Sequence, residues 1–114
     1  MTNTDTPVLA PDAWATLRRI TAWIDNANGH SDHETAMRLL KLAEEVGEVT
    51  QAYIGMIGQN PRKGITHTQE DVADELCDVV VTALVALYRF ADDPAGVLEA
   101  KIQKIAKRME ATDA

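Results

Sequence analysis

The feature that most constrains this chain is three carboxylates within five residues of a helix that must also pack. Residues 41–51 read Lys-Leu-Ala-Glu-Glu-Val-Gly-Glu-Val-Thr-Gln. Glu45 and Glu48 are spaced i, i+3 and Glu44 and Glu48 i, i+4, so on a helix all three project to one side as close neighbours. Like charges at those spacings repel, and more strongly where water is excluded. A second pair, Glu75 and Asp78, repeats the i, i+3 spacing on a later and far more apolar segment. Two such ridges brought face to face form a pocket of oxygen ligands, the donor type that suits Mg²⁺ or Mn²⁺.

The 114 residues are enough for one domain, and at that size association with a second copy adds useful core. A net charge of -7 with no basic patch or stripe argues against a nucleic-acid partner. Any phosphate bound here therefore needs metal ions for much of its attraction. The single cysteine, Cys77, permits no intrachain disulfide and agrees with a reducing compartment. There is no secretion-signal pattern at the start, and the longest apolar run, residues 79–87, is too short to span a bilayer. The expectation is a cytoplasmic protein without a membrane partner.

Four helices are predicted, preceded by a flexible arm over residues 1–10, with a single all-α domain over residues 11–111. Pro11 and Asp12 open the first, which carries Trp14, Leu17, Ile20, Trp23 and Ile24 at helical spacing and ends near Asn26, Asn28 and Gly29. The two tryptophans serve either packing or stacking on a nucleobase. Ser31 or Asp32 caps the second helix, with Glu34 as capping-box partner. Its apolar stripe is Leu39, Leu42, Val46, Val49, Tyr53 and Ile57, which puts the acids along the edge of the buried face. His30 and His33, near that cap, read as solvated loop residues.

Residues 58–66, with two glycines and a proline, form a loop in which Arg62 and Lys63 are either an exposed turn or a clamp for phosphate. Thr66 or Thr68 caps the third helix. Its stripe of Val72, Leu76, Val79, Val80, Ala83, Leu84 and Leu87 is widened by Cys77, Val81, Val85 and Tyr88. The polar remainder is one line, Asp71, Glu75, Asp78, Thr82 and Arg89, which is expected to face other helices. A monomer would leave Val81, Val85 and Tyr88 uncovered, so a homodimer or a dimer of dimers is expected. Asp93 and Pro94 start the last helix, with Val97, Leu98, Ile102, Ile105 and Met109 inside and Lys101, Lys104, Lys107 and Arg108 outside.

The two ridges together, Glu44-Glu45-x-x-Glu48 and then Glu75-x-x-Asp78, with the Lys-Leu-x-Glu-Glu lead-in, resemble the MazG-like family of all-α nucleoside triphosphate pyrophosphohydrolases. The resemblance implies an oligomeric four-helix bundle of the MazG-like type. It implies Mg²⁺ (or Mn²⁺) held by Glu45, Glu48, Glu75 and Asp78, with Glu44 as a further ligand or the base for water, so that Glu44 and Glu45 are the catalytic pair. It also implies hydrolysis of a nucleoside triphosphate between the α- and β-phosphates. Lys41, Arg62, Lys63 and Lys101 are then candidates to hold phosphate, and Trp14 or Trp23 to stack on the base. The chain departs from the family in the last helix, where Lys101 and Arg108 persist but Ile105 and Met109 replace an Asn and a Tyr. Thr82 stands where an amide is common. Phosphoribosyl-ATP is the alternative substrate within the same fold, and a non-catalytic dimeric helical module the alternative outside it. A di-iron bundle is disfavoured because neither ridge supplies a Glu-x-x-His pair.

Overall fold

The computed structural model describes residues 8–113; the first seven residues of the expected arm lie outside the described residues. Four helices make up the fold, α1 (Pro11–Asn28), α2 (Asp32–Ile57), α3 (Gln69–Leu87) and α4 (Pro94–Asp113), and no strand occurs among the described residues.

Local chemistry sets the boundaries. Pro11 occupies the first turn of α1, where its missing N–H costs nothing. Ser31 is the cap of α2, its hydroxyl accepting the Glu34 N–H at 3.1 Å. Gly58, at φ +64, ends that helix in the left-handed conformation glycine adopts without strain. Thr68 rather than Thr66 caps α3 and forms a reciprocal box with Asp71, at 3.1 Å and 2.9 Å. Asp93 accepts the Gly96 N–H at 3.2 Å at the start of α4.

α2 and α3 pack against each other as an antiparallel hairpin, and α1 lies against α3. The core cluster of Trp14, Leu17 and Leu84 is at the end of α3 away from the α2–α3 loop, with Leu9, Leu87, Tyr88, Ala95 and Leu98 packed around it. Arg89 ties the α1–α2 loop to this end. Its Nε donates to Thr35 Oγ1 at 2.9 Å and its Nη2 to the His30 carbonyl at 2.7 Å. His30 is thus an exposed loop ring whose backbone is clamped.

The packing seam corrects the expected stripes. On α2 the line facing α3 is Arg38, Leu42, Glu45, Val49, Ala52 and Met56, a three-four alternation displaced by one position from the expected set, with Glu34, Thr35, Glu48 and Gly55 also buried or half-buried beside it. Leu42 and Val49 belong to both, but Leu39, Val46, Tyr53 and Ile57 stay exposed. On α3 the inward line is Val72, Glu75, Val79, Thr82 and Ala86. Val85 is buried and Tyr88 half-buried, because α1 and the start of α4 cover that end; Leu76, Cys77, Val80 and Val81 are the exposed residues of the expected stripe.

α4 also differs from expectation. Only Leu98 of its anticipated inner face is half-buried, whereas Val97, Ile102, Ile105 and Met109 are exposed. Anchored through Pro94, Ala95 and Leu98, the helix projects from the rest, and one chain alone does not close a four-helix bundle. The radius of gyration, 17.5 Å, exceeds the roughly 13 Å of a compact chain of this length.

Candidate metal centre

The one-position shift of the α2 seam carries Glu45 from the edge of the interface into it. Glu45 is 8% exposed, and its partner across the hairpin is the half-buried Glu75. One carboxylate oxygen each from Glu45, Glu75 and Asp78 lie within 4.8 Å of one another. The same holds for Glu44, Glu45 and Glu48, so Glu45 belongs to both groups. The two ridges therefore converge.

Two oxygens in this cluster, Oε2 of Glu45 and Oε2 of Glu75, are enclosed and have no hydrogen-bond partner. Buried polar atoms are nearly always paired, and an unpaired buried carboxylate is costly. Donors on one Mg²⁺, each about 2.1 Å from the ion, lie at most about 4.2 Å apart, close to the 4.8 Å within which these oxygens fall. The donor set is all oxygen and anionic, as a hard divalent cation requires. These residues fit the ion.

Lys41 is the only cation within 4.0 Å of the cluster among the described residues. Its Nζ bonds Glu44 Oε1 closely and lies 3.4 Å from Glu45 Oε1. The hydrogen bond to Glu44, then that to Glu45, hold its pKa above the usual lysine value. Lys41 is thus brought to the site. Arg62 and Lys63 are not: they sit exposed in the loop past the end of α2, which itself lies nine residues and roughly 13 Å along the helix from Glu48. That loop is well tied, with Asn60 Oδ1 accepting the Arg62 N–H at 3.0 Å and the Gly55 carbonyl accepting the Thr66 N–H at 2.9 Å.

Lys101 stands exposed on the projecting α4 and has no ion pair with the carboxylates. Trp14 cannot stack on a ligand, since it is 8% exposed inside the core cluster. Trp23 is 72% exposed and does not line the hollow described next.

Beside Lys41 and Glu44 lies a hollow of about 560 Å³. Ile20 and Ile24 of α1, Met37 and Leu40 of α2, and Val81 and Val85 of α3 make its walls apolar. Arg38, Glu34, Asn28 and Thr82 supply its polar groups. Arg38 is held in a buried ion triad, 2.7 Å from Asp25 and 2.9 Å from Glu34. The Arg38 hydrogen bond holds the Glu34 pKa below the ordinary carboxylate value despite opposing desolvation. Burial pulls the Arg38 pKa down, but its bonds to Glu34 and Asp25 outweigh it and the net shift is upward. Sequence reasoning missed this hollow and the triad. One signal was present: Arg38 is seven residues before Glu45, and so on the same helical line.

No protein family, curated protein or solved structure matches this chain.

Proposed function

We propose that this protein is a Mg²⁺-dependent nucleoside triphosphate pyrophosphohydrolase, of the kind its two acidic ridges resemble in the MazG-like family. It would act on the cytoplasmic nucleotide pool as a homodimer or a dimer of dimers. The observation that carries the reading is the pair of orphaned buried oxygens on Glu45 and Glu75, within reach of Asp78. Glu45, Glu75 and Asp78 would hold the ion, with Glu48 completing the set or holding a second; Mn²⁺ fits the same donors.

When bound, the ion supplies positive charge against the polyphosphate and acidifies the attacking water. Glu44 stands on the exposed side of the cluster, placed to orient that water and accept its proton. Lys41, bonded to Glu44, is the cation nearest to incoming phosphates. The adjoining hollow is of ligand-binding size and suits a base and sugar, with apolar walls and the polar edge of Arg38 and Thr82. Cleavage between the α- and β-phosphates by water yields a nucleoside monophosphate and pyrophosphate.

The test is a panel of ribo- and deoxynucleoside triphosphates, with phosphoribosyl-ATP included, assayed with Mg²⁺ for release of monophosphate and pyrophosphate. Turnover by the native chain and a loss of at least about a hundredfold in Glu75→Gln are expected. Glu75→Gln hydrolysing at the native rate, or no turnover of any compound in the panel, would leave the non-catalytic helical module as the better account.

A further inference from the structure

The five carboxylates fall into two groups that share Glu45, and the groups are unlike. Glu45, Glu75 and Asp78 come from both helices of the hairpin, and in this inner group the enclosed Oε2 oxygens of Glu45 and Glu75 have no partner. Glu44, Glu45 and Glu48 all come from α2, and this outer group already has a cation. The Lys41 ammonium bonds Oε1 of Glu44 and lies 3.4 Å from Oε1 of Glu45, the opposite oxygen of the carboxylate whose Oε2 is orphaned inside. Helix stability does not account for that placement. An acid supports a helix best when it precedes its lysine by four residues, whereas Lys41 precedes both of its partners. Arg38, one turn earlier, cannot serve instead, because it is committed to Asp25 and Glu34.

We infer that Lys41 is a built-in occupant of a second cation position, and that it keeps a second divalent ion out of the chain while no nucleotide is bound. On the Mg²⁺ reading proposed above for the inner group, on which this rests, one ion is resident between Glu45, Glu75 and Asp78. The outer oxygens are closed to another until Lys41 leaves them. Its flexible four-carbon stem lets the ammonium leave without moving the helix.

Lys41 and Glu44 also line the hollow, so an anion entering there offers the ammonium a different partner, and the outer carboxylates open as that anion binds. The same exchange releases Glu44, the proton acceptor of the proposed reaction. Lys41 thereby holds the site idle until substrate arrives.

The test counts ions rather than turnover. Mn²⁺ is titrated into the full chain without nucleotide, and the free ion is read from its electron paramagnetic resonance signal. The native chain should take up one ion tightly and a second only weakly. An ammonium and a divalent ion about 5 Å apart in a water-like dielectric repel enough to change binding by roughly five- to tenfold at moderate salt. Lys41→Met should therefore bind the second ion about five- to tenfold more tightly, with unchanged helix content because Lys41 is exposed. Lys41→Arg, which keeps the charge, should match the native chain. So should Lys107→Met, which removes an exposed charge from the projecting α4. Two ions bound equally tightly by the native chain, or a second-ion affinity unchanged in Lys41→Met, overturns the inference and leaves the inner metal site standing. Equal tightening by Lys107→Met does the same, since net charge alone would then explain the effect. Failure of the native chain and every variant to bind Mn²⁺ overturns the metal reading itself, and the role of Lys41 with it.

Discussion

Glu45 shows how far a single side chain can depart from its sequence-level reading. Its membership of an acidic ridge is plain in the sequence, and so is its nearness to an apolar stripe. Its burial against Glu75 depends on which of two overlapping seams of α2 is chosen, and both seams contain Leu42 and Val49. Arg38 moves inward by the same choice and is neutralised by Asp25 and Glu34. This pairing has a pH consequence. The Glu34 pKa is lowered in the folded chain, so its contribution to stability is present above the ordinary glutamate value of about 4.3 and is lost as pH falls through the depressed folded value. Melting midpoints from pH 7 to pH 3 should fall less steeply for Glu34→Gln than for the native chain. Equal slopes would show that the triad does not set the acid response.

Among the elements, helix starts were the most legible feature. Pro11, Ser31, and Asp93 with Pro94 act within one turn of the chain and stand where expected, whereas Glu34, expected to complete a capping box with Ser31, turns its carboxylate to Arg38 instead. Thr68 was separated from Thr66 only by the structure, where Asp71 returns the bond. The α2–α3 loop read as a basic turn but proves to be closely docked. At Gly55 an added methyl would meet His67 Nδ1 and Thr66 Oγ1 well inside contact distance, while the Gly55 carbonyl holds the Thr66 N–H. Gly55→Ala should therefore destabilise the fold by about 1–3 kcal/mol in urea unfolding, although alanine is the better helix former. A neutral or stabilising result would mean that the loop re-docks freely. The inner face expected for α4 stayed open because amphipathicity specifies that a face be covered, and leaves unspecified whether the cover comes from the same chain.

At the scale of the whole molecule, the candidate metal site and the fold are thermodynamically linked. The buried carboxylates of Glu45 and Glu75 repel across the hairpin, and a cation that binds only the folded chain relieves this. Mg²⁺ at a hundred times its dissociation constant should add about 2.7 kcal/mol, seen as a higher melting midpoint than in chelator. Glu45→Gln should be at least as stable as the native chain in chelator and should lose that response. An identical midpoint for the native chain with and without Mg²⁺ would count against a shared ion. No helix among the described residues is long and apolar enough to cross a membrane, as residues 79–87 already suggested.

Helix number, their capped starts and the existence of two acidic ridges were determined by the sequence itself, because propensity, capping and periodicity act over a few residues. Which stripe of α2 turns inward, where α4 lies, and that Glu45, Glu75 and Asp78 come within 4.8 Å were decided only by tertiary structure. The reason is that two adjacent apolar seams satisfy the same helical period equally well, and only the fit of one helix against another distinguishes them.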